Sequence, residues 1–127
     1  MTPHWRETEW ADGLERFAER LRKGETTAAA TARRALDRIV EHNEKTRAFF
    51  HVAPDAALAE GRRIDGILRA GGDLGPLMGV PVAVKDLFAV VGMPTRAGTG
   101  LDVAHAIGPE GSFVARLRAS GVVVLGK

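Results

Sequence analysis

The chain has 127 residues, the length of one ordinary domain, with 45% hydrophobic and 27% charged residues. These figures exclude a charge-rich disordered tail, and 15 Gly with 6 Pro carry no collagen-like period. Eighteen Lys and Arg against 16 Asp and Glu leave a net charge of +2, too balanced to call for a nucleic-acid partner. There is no cysteine, so disulfides, thiolate nucleophiles and Cys-based metal sites are ruled out. The segment Met1–Glu7 lacks the layout of a signal peptide, and the apolar stretch Pro76–Val84 is too short to cross a bilayer. A cytoplasmic chain that does not enter a membrane is expected.

In chain order, Trp10, Leu14, Phe17 and Leu21 recur at i, i+4, i+7 and i+11, one face of a first helix, with Gly24 placed for a left-handed cap. Thr26 or Thr27 offers an N-cap oxygen to a second helix from Ala28 to about His42, with Ala32, Leu36, Ile39 and Val40 inward and Asn43 as its stop. Phe49, Phe50 and Val52 form an extended link. Pro54 suits the first turn of a third helix that carries Ala57, Ile64 and Leu68 and ends at Gly71-Gly72. Beyond Leu74 charge thins, and Val80–Lys85 reads as a buried strand with Pro81 tolerable near its entrance. Leu87–Val91 and a loop over Gly92–Gly100 follow. Ser112 caps a short helix with Phe113, Val114 and Leu117, Gly121 ends it, and Val122–Leu125 is a second buried strand, parallel to the first.

The order is α/β: residues 1–72 form a helical segment and residues 73–127 begin the core of a mixed sheet. Two apolar strands ending at Gly126-Lys127 are expected to leave faces and edges uncovered, which predicts sequence beyond Lys127 and an aggregation-prone isolated chain.

Lys85 is the residue most suggestive of chemistry. It is the one charge at the end of the Val80–Val84 run, where desolvation disfavours the ammonium form and suits a general base. The alternative is a strand-end lysine whose head reaches water. Alternation along a strand turns Lys85 and Asp86 to opposite sides.

The block Gly75-Pro76-Leu77-Met78-Gly79-Val80-Pro81-Val82-Ala83-Val84-Lys85-Asp86, followed by Gly92-Met93-Pro94-Thr95-Arg96-Ala97-Gly98, resembles the amidase signature family. Its pattern there is G-P-L-x-G-V-P-x-A-x-K-D and then G-x-x-T-x-x-G. Similarity extends over about residues 14 to 127, through Leu21–Thr26, Arg47-Ala48-Phe49 and the helix and strand of Ser112–Lys127. The resemblance implies the start of an amidase signature fold, an amide substrate, no cofactor or metal, and a Ser–Ser–Lys mechanism. In that mechanism one serine attacks the carbonyl, a second relays protons, and Lys85 inherits the role of base. A Gly/Ser-rich loop would supply oxyanion amides. The serines of that pattern lie beyond this chain, whose two serines, Ser112 and Ser120, sit in no Gly/Ser-rich run. The chain alone is therefore expected to be inactive. Two alternatives remain: the glutaminase (A) subunit of a tRNA-dependent amidotransferase, or a non-catalytic truncated remnant. A homo-oligomer of the complete protein stays open.

Glu110 stands where the family more often has aspartate, near a helix N-terminus that favours negative charge. Gly121–Lys127 fits the spacing G-x-x-x-x-G-K, but Val-Val-Val-Leu favours strand over a phosphate loop. His4, His42, His51 and His105 show no metal spacing. Arg33-Arg34 and Arg62-Arg63 read as solvated helix faces, and Gly98-Thr99-Gly100 as a turn.

Overall fold

A computed structural model describes residues 13–127. Its elements in order are α1 (Gly13–Arg22), α2 (Ala28–Thr46), α3 (Pro54–Arg69), β1 (Pro81–Ala83), α4 (Ala104–Ile107), α5 (Ser112–Ala119) and β2 (Val123–Gly126). Trp10 lies outside the described residues. Of the rest of its stripe, Phe17 and Leu21 are buried and Leu14 is exposed.

α2 starts where its cap chemistry dictates. The Thr27 hydroxyl accepts from the Ala30 amide, and the Asp65 carboxylate, reaching across from α3, accepts from Ala28 and Ala29 at 2.7 and 3.1 Å. Three of the helix's orphan donors are thereby satisfied. One turn before Asp65, Gly61 packs so close to the Ala29 backbone that a Cβ would overlap it, which lets the two helices meet. Ala32 and Leu36 are buried and Ile39 packs against the core. Val40, about 80° round the helix from Ala32, is 82% exposed and does not belong to that face. Asn43 is not the stop either: α2 continues to Thr46 and closes at Arg47, which has a left-handed φ of 50°. The Asn43 amide instead pairs with Phe49, accepting from its N–H at 2.7 Å and donating to its carbonyl at 2.8 Å. The competition that makes Asn a poor helix residue is here directed at the next segment.

β1 and β2 pair in parallel, Pro81 with Val123 and Val82 with Val124, with an irregularity before Ala83 and Gly126. That irregularity shortens the expected Val80–Lys85 strand to three residues, and Val84 then donates to Gly126 at 3.0 Å. On the other side of β2 the 50–53 link runs antiparallel. Lys127 and His51 exchange backbone bonds, and Ala53 donates to Leu125. A Cβ on Gly126 would collide with the His51 carbonyl, so only glycine lets these segments meet.

The strand faces are not left bare as the sequence suggested. Val123 and Leu125 pack into the cluster of α1, α2 and α3, while Val122 and Val124 join Val84, Val90 and Val114 on the opposite face. α5 and the turns of 87–93 close that second face, which the period-2 pattern alone did not anticipate. Gly111, with no side-chain bond, precedes α5, so Ser112 is its first residue and not its cap. α4 was not anticipated. Asp102 nucleates it by accepting from the Ala104 amide at 3.0 Å.

Candidate active site

Lys85 lies two residues beyond the end of β1. Val84 before it is buried and bonded to β2, and the Lys85 carbonyl accepts from Phe88 in the turn after it. The side chain itself is exposed, because the strand ends at Ala83 and the chain turns outward there. The desolvation expected from its place in the apolar run is thus not supplied by the described residues. Among them Lys85 makes no ion pair.

Asp86 turns the other way and is the centre of a polar cluster. Its carboxylate accepts from the Arg96 amide at 3.0 Å and the Ala97 amide at 3.0 Å, and its carbonyl accepts from Ala97 at 3.1 Å. Lys127, its side chain 0% exposed, places its ammonium 2.9 Å from Asp86 Oδ1. The same ammonium donates to the Thr95 hydroxyl at 2.6 Å and the Pro94 carbonyl at 3.0 Å. Three protons meet three acceptors, and no buried side-chain polar atom among the described residues lacks a partner. Burial works to raise the Asp86 carboxyl, but the bond from Lys127 and the amides of Arg96 and Ala97 outweigh it and hold it below its usual value. Beyond Thr95, Asp102 accepts from the Thr95 and Ala104 amides, which hold its carboxyl low as well.

The sequence reading singled out Lys85 and passed over Lys127, Thr95 and Gly126. The signal was present. Lys127 is also a lone charge ending an apolar run, and the phosphate-loop spacing drew attention away from it. The structure makes Gly121–Lys127 a turn and a strand. Glu110 does not complement the start of α5; it accepts from the Val91 amide and pairs with Arg118 at the helix's far end, 3.1 Å away. Ser112 is exposed, and the Ser120 hydroxyl donates to Leu117 at 2.6 Å; neither meets Lys85. Among the described residues no three His, Asp or Glu converge as a metal site, and no helix is long and apolar enough to cross a membrane.

This arrangement of three helices on a small parallel sheet is shared with amidase structures. Native peptide amidase from Stenotrophomonas maltophilia superposes with a TM-score of 0.81 at 30% identity, covering 98% of this chain and 25% of that one. A second solved amidase superposes at 0.78 with 37% identity, over 90% and 26% of the two chains. In sequence, the chain is 43% identical over 105 residues to the (A) subunit of the glutamyl-tRNA(Gln) amidotransferase of Salinispora arenicola, 83% of this chain and 21% of the relative. The amidase family model matches residues 30–127. The chain belongs to the amidase signature family. It spans about a fifth of the length of the curated relatives it matches.

Proposed function

We propose that this chain is the N-terminal part of an amidase that hydrolyses a carboxamide bond by a Ser–Ser–Lys mechanism, with Lys85 as the base. Residues 1–72 and 73–127 are then the helical segment and the beginning of the sheet core of one domain. The observation that carries the reading is Lys85 itself: the lysine of the K-D block stands at the end of β1, backbone-fixed by β2 and the turn at Phe88, with its amine accessible to groups outside the chain. An amine so placed accepts a proton from a serine hydroxyl, through a second serine, as that hydroxyl attacks the amide carbonyl, and the proton then passes to the leaving nitrogen. Neither Ser112 nor Ser120 bonds Lys85 or lies in a Gly/Ser-rich run, so in this reading both serines belong to sequence outside these residues. That sequence, with the substrate, also supplies the desolvation an amine base requires. A cytoplasmic location goes with the same reading, and the cysteine-free composition is compatible with it.

A second reading is favoured by the 43% identity to the Salinispora amidotransferase chain: the same site releases ammonia from glutamine for a tRNA-linked acceptor. Ammonia release by the complete gene product, measured on glutamine and on simple and peptide carboxamides, separates the two. Lys85→Ala should lower that release by about a hundredfold or more, with the circular dichroism unchanged. Full activity in Lys85→Ala overturns the base assignment.

A further inference from the structure

Lys85 precedes Asp86 in the chain and Lys127 meets the Asp86 carboxylate at the end of the sheet, so the fold gives the carboxylate to the buried lysine. We propose that Lys127 is a positioning residue for Lys85: its buried ammonium holds Asp86 and the 94–97 turn at the end of β1 and keeps the Asp86 carboxylate away from the Lys85 amine. The inference rests on the assignment of Lys85 as the base.

The geometry that carries it is the three-way bond of Lys127 to Asp86, Thr95 and Pro94, at 2.9, 2.6 and 3.0 Å, in a side chain with no exposed surface. A buried ammonium is stable only when paired and fully bonded, so Lys127 is confined to this position. Gly126 sets it there by allowing β2 to lie against His51, and the Lys127 carbonyl accepts from Phe50 and His51 at 2.9 and 3.2 Å. Asp86, 21% exposed on its side chain, spans from this ammonium to the amides of Arg96 and Ala97. The Arg96 guanidinium is directed elsewhere, 5.3 Å from the centre of the Phe50 ring. Among the described residues Lys127 is the charged side chain paired with Asp86, and Lys85 adjoins it along the chain.

An amine base must give up its proton, and an unshared carboxylate one residue away would hold it as ammonium. Lys127 and Asp86 together form a pair of no net charge beside Lys85. Removing Lys127 alone leaves a negative charge there, and removing both charges restores neutrality.

The test uses the complete gene product and reads Lys85 without requiring hydrolysis, so its failure is separable from failure of the base assignment. Acylation of Lys85 by acetic anhydride at fixed pH is followed by mass spectrometry of its peptide, with amide hydrogen exchange of Arg96 and Ala97 alongside. In Lys127→Met, Lys85 should acylate threefold or more slowly, and the two amides should exchange at least tenfold faster. In the double variant Asp86→Asn/Lys127→Met, acylation should return to the wild-type rate while exchange stays fast. A merely structural lysine would loosen the turn in both variants without that reversal. Unchanged acylation in Lys127→Met, or equal slowing in single and double variants, overturns the proposal. Should Lys127→Met not fold, Lys127→Arg and Asp86→Asn carry the test. Asp86→Asn should then speed Lys85 acylation, since Lys127 keeps its charge, and an unchanged rate overturns the proposal.

Discussion

Between Gly13 and Gly72 the chain runs mostly in three helices whose inner faces meet in one apolar cluster, with Ile64 and Phe17 at 0% exposure. Between Asp73 and Lys127 the regular elements are short, and turns carry most of the path. There Leu87, Phe88, Val91, Leu101, Ile107 and Phe113 are exposed, while Thr95 and the Lys127 side chain are buried. The first region is ordered by packing and closed by polar caps at its ends. The second has its own apolar cluster around Val84, Val90, Val114, Val122 and Val124, but adds a buried ion pair and carboxylate–amide bonds at its turns and leaves several large apolar side chains outside. A helical periodicity can specify the first arrangement, whereas turns of irregular backbone need individual partners for their amides. Asp86, Asp102 and Glu110 accept from such amides, and Lys127 donates to the Pro94 carbonyl and to Asp86, next to Lys85 in the chain.

The sharpest way to test this contrast is to damage each region through the interactions that order it. Ile64→Ala removes most of a fully buried side chain from the helical cluster and should cost about 2–5 kcal/mol in urea unfolding. The exchange of Arg96 and Ala97 measured below the unfolding midpoint should stay as it is, because no bond of the turn is touched. Thr95→Val is nearly isosteric and leaves one proton of the buried Lys127 ammonium without an acceptor. A loss of about 1–3 kcal/mol is expected. Here the exchange of residues 95–97 should rise while that of α2 does not. A larger loss from Thr95→Val than from Ile64→Ala would mean that the polar cluster, and not the helical cluster, dominates the stability of the whole chain.

Acid should separate the regions next. The Asp86 carboxyl is held below its usual value of about 3.9, as is Asp102. A carboxyl lowered in the folded state contributes stability that is present above the ordinary value and is lost as pH falls through the folded value. Protection of the Arg96 and Ala97 amides should therefore fall below about pH 4, ahead of the amides within α2 and α3. Asp86→Asn, which leaves the buried Lys127 ammonium without its counter-charge, should cost more than Thr95→Val and should flatten that acid dependence. Two lowered carboxyls outside the cluster, Asp73 beside Arg22 and Glu60 beside Arg63, provide the background against which the flattening is read.

The same contrast explains what was legible beforehand. The three helices, the Thr27 cap, Gly24 and Gly71 at left-handed positions, and the parallel strand pair all follow from periodicity and local chemistry. Val40 and Asn43 were misplaced for a related reason. At the edge of a helical face, small angular differences decide burial, and Asn43 serves a neighbour that sequence spacing does not reveal. The role of Glu110 and the Lys127 cluster depend on contacts 7 to 41 residues apart, such as Thr95 with Asp102 and Lys127 with Asp86, and no periodic signal encodes them; α4 is a single turn, too short to carry one. Lys85 stood out as a lone charge ending an apolar run and drew further weight from the family pattern of its block; of the two readings of its side chain, the exposed one is what the structure shows, because the strand ends at Ala83.

The smallest effect is expected at the cap of α2, and it is the most discriminating for the helical region. Thr27→Ala frees the Ala30 amide while Asp65 continues to hold those of Ala28 and Ala29. Ala30 lies near water at the helix start, so the loss should be about 1 kcal/mol, read from the urea midpoint at constant m. A double-mutant cycle with Asp65→Asn should then be nearly additive, since each group bonds different amides. Coupling of more than about 1 kcal/mol would make Thr27, Asp65 and the α2 terminus one polar network. The helical region would then depend on a polar network much as the Lys127 cluster holds the turns around Lys85, and the difference between the regions would be one of degree.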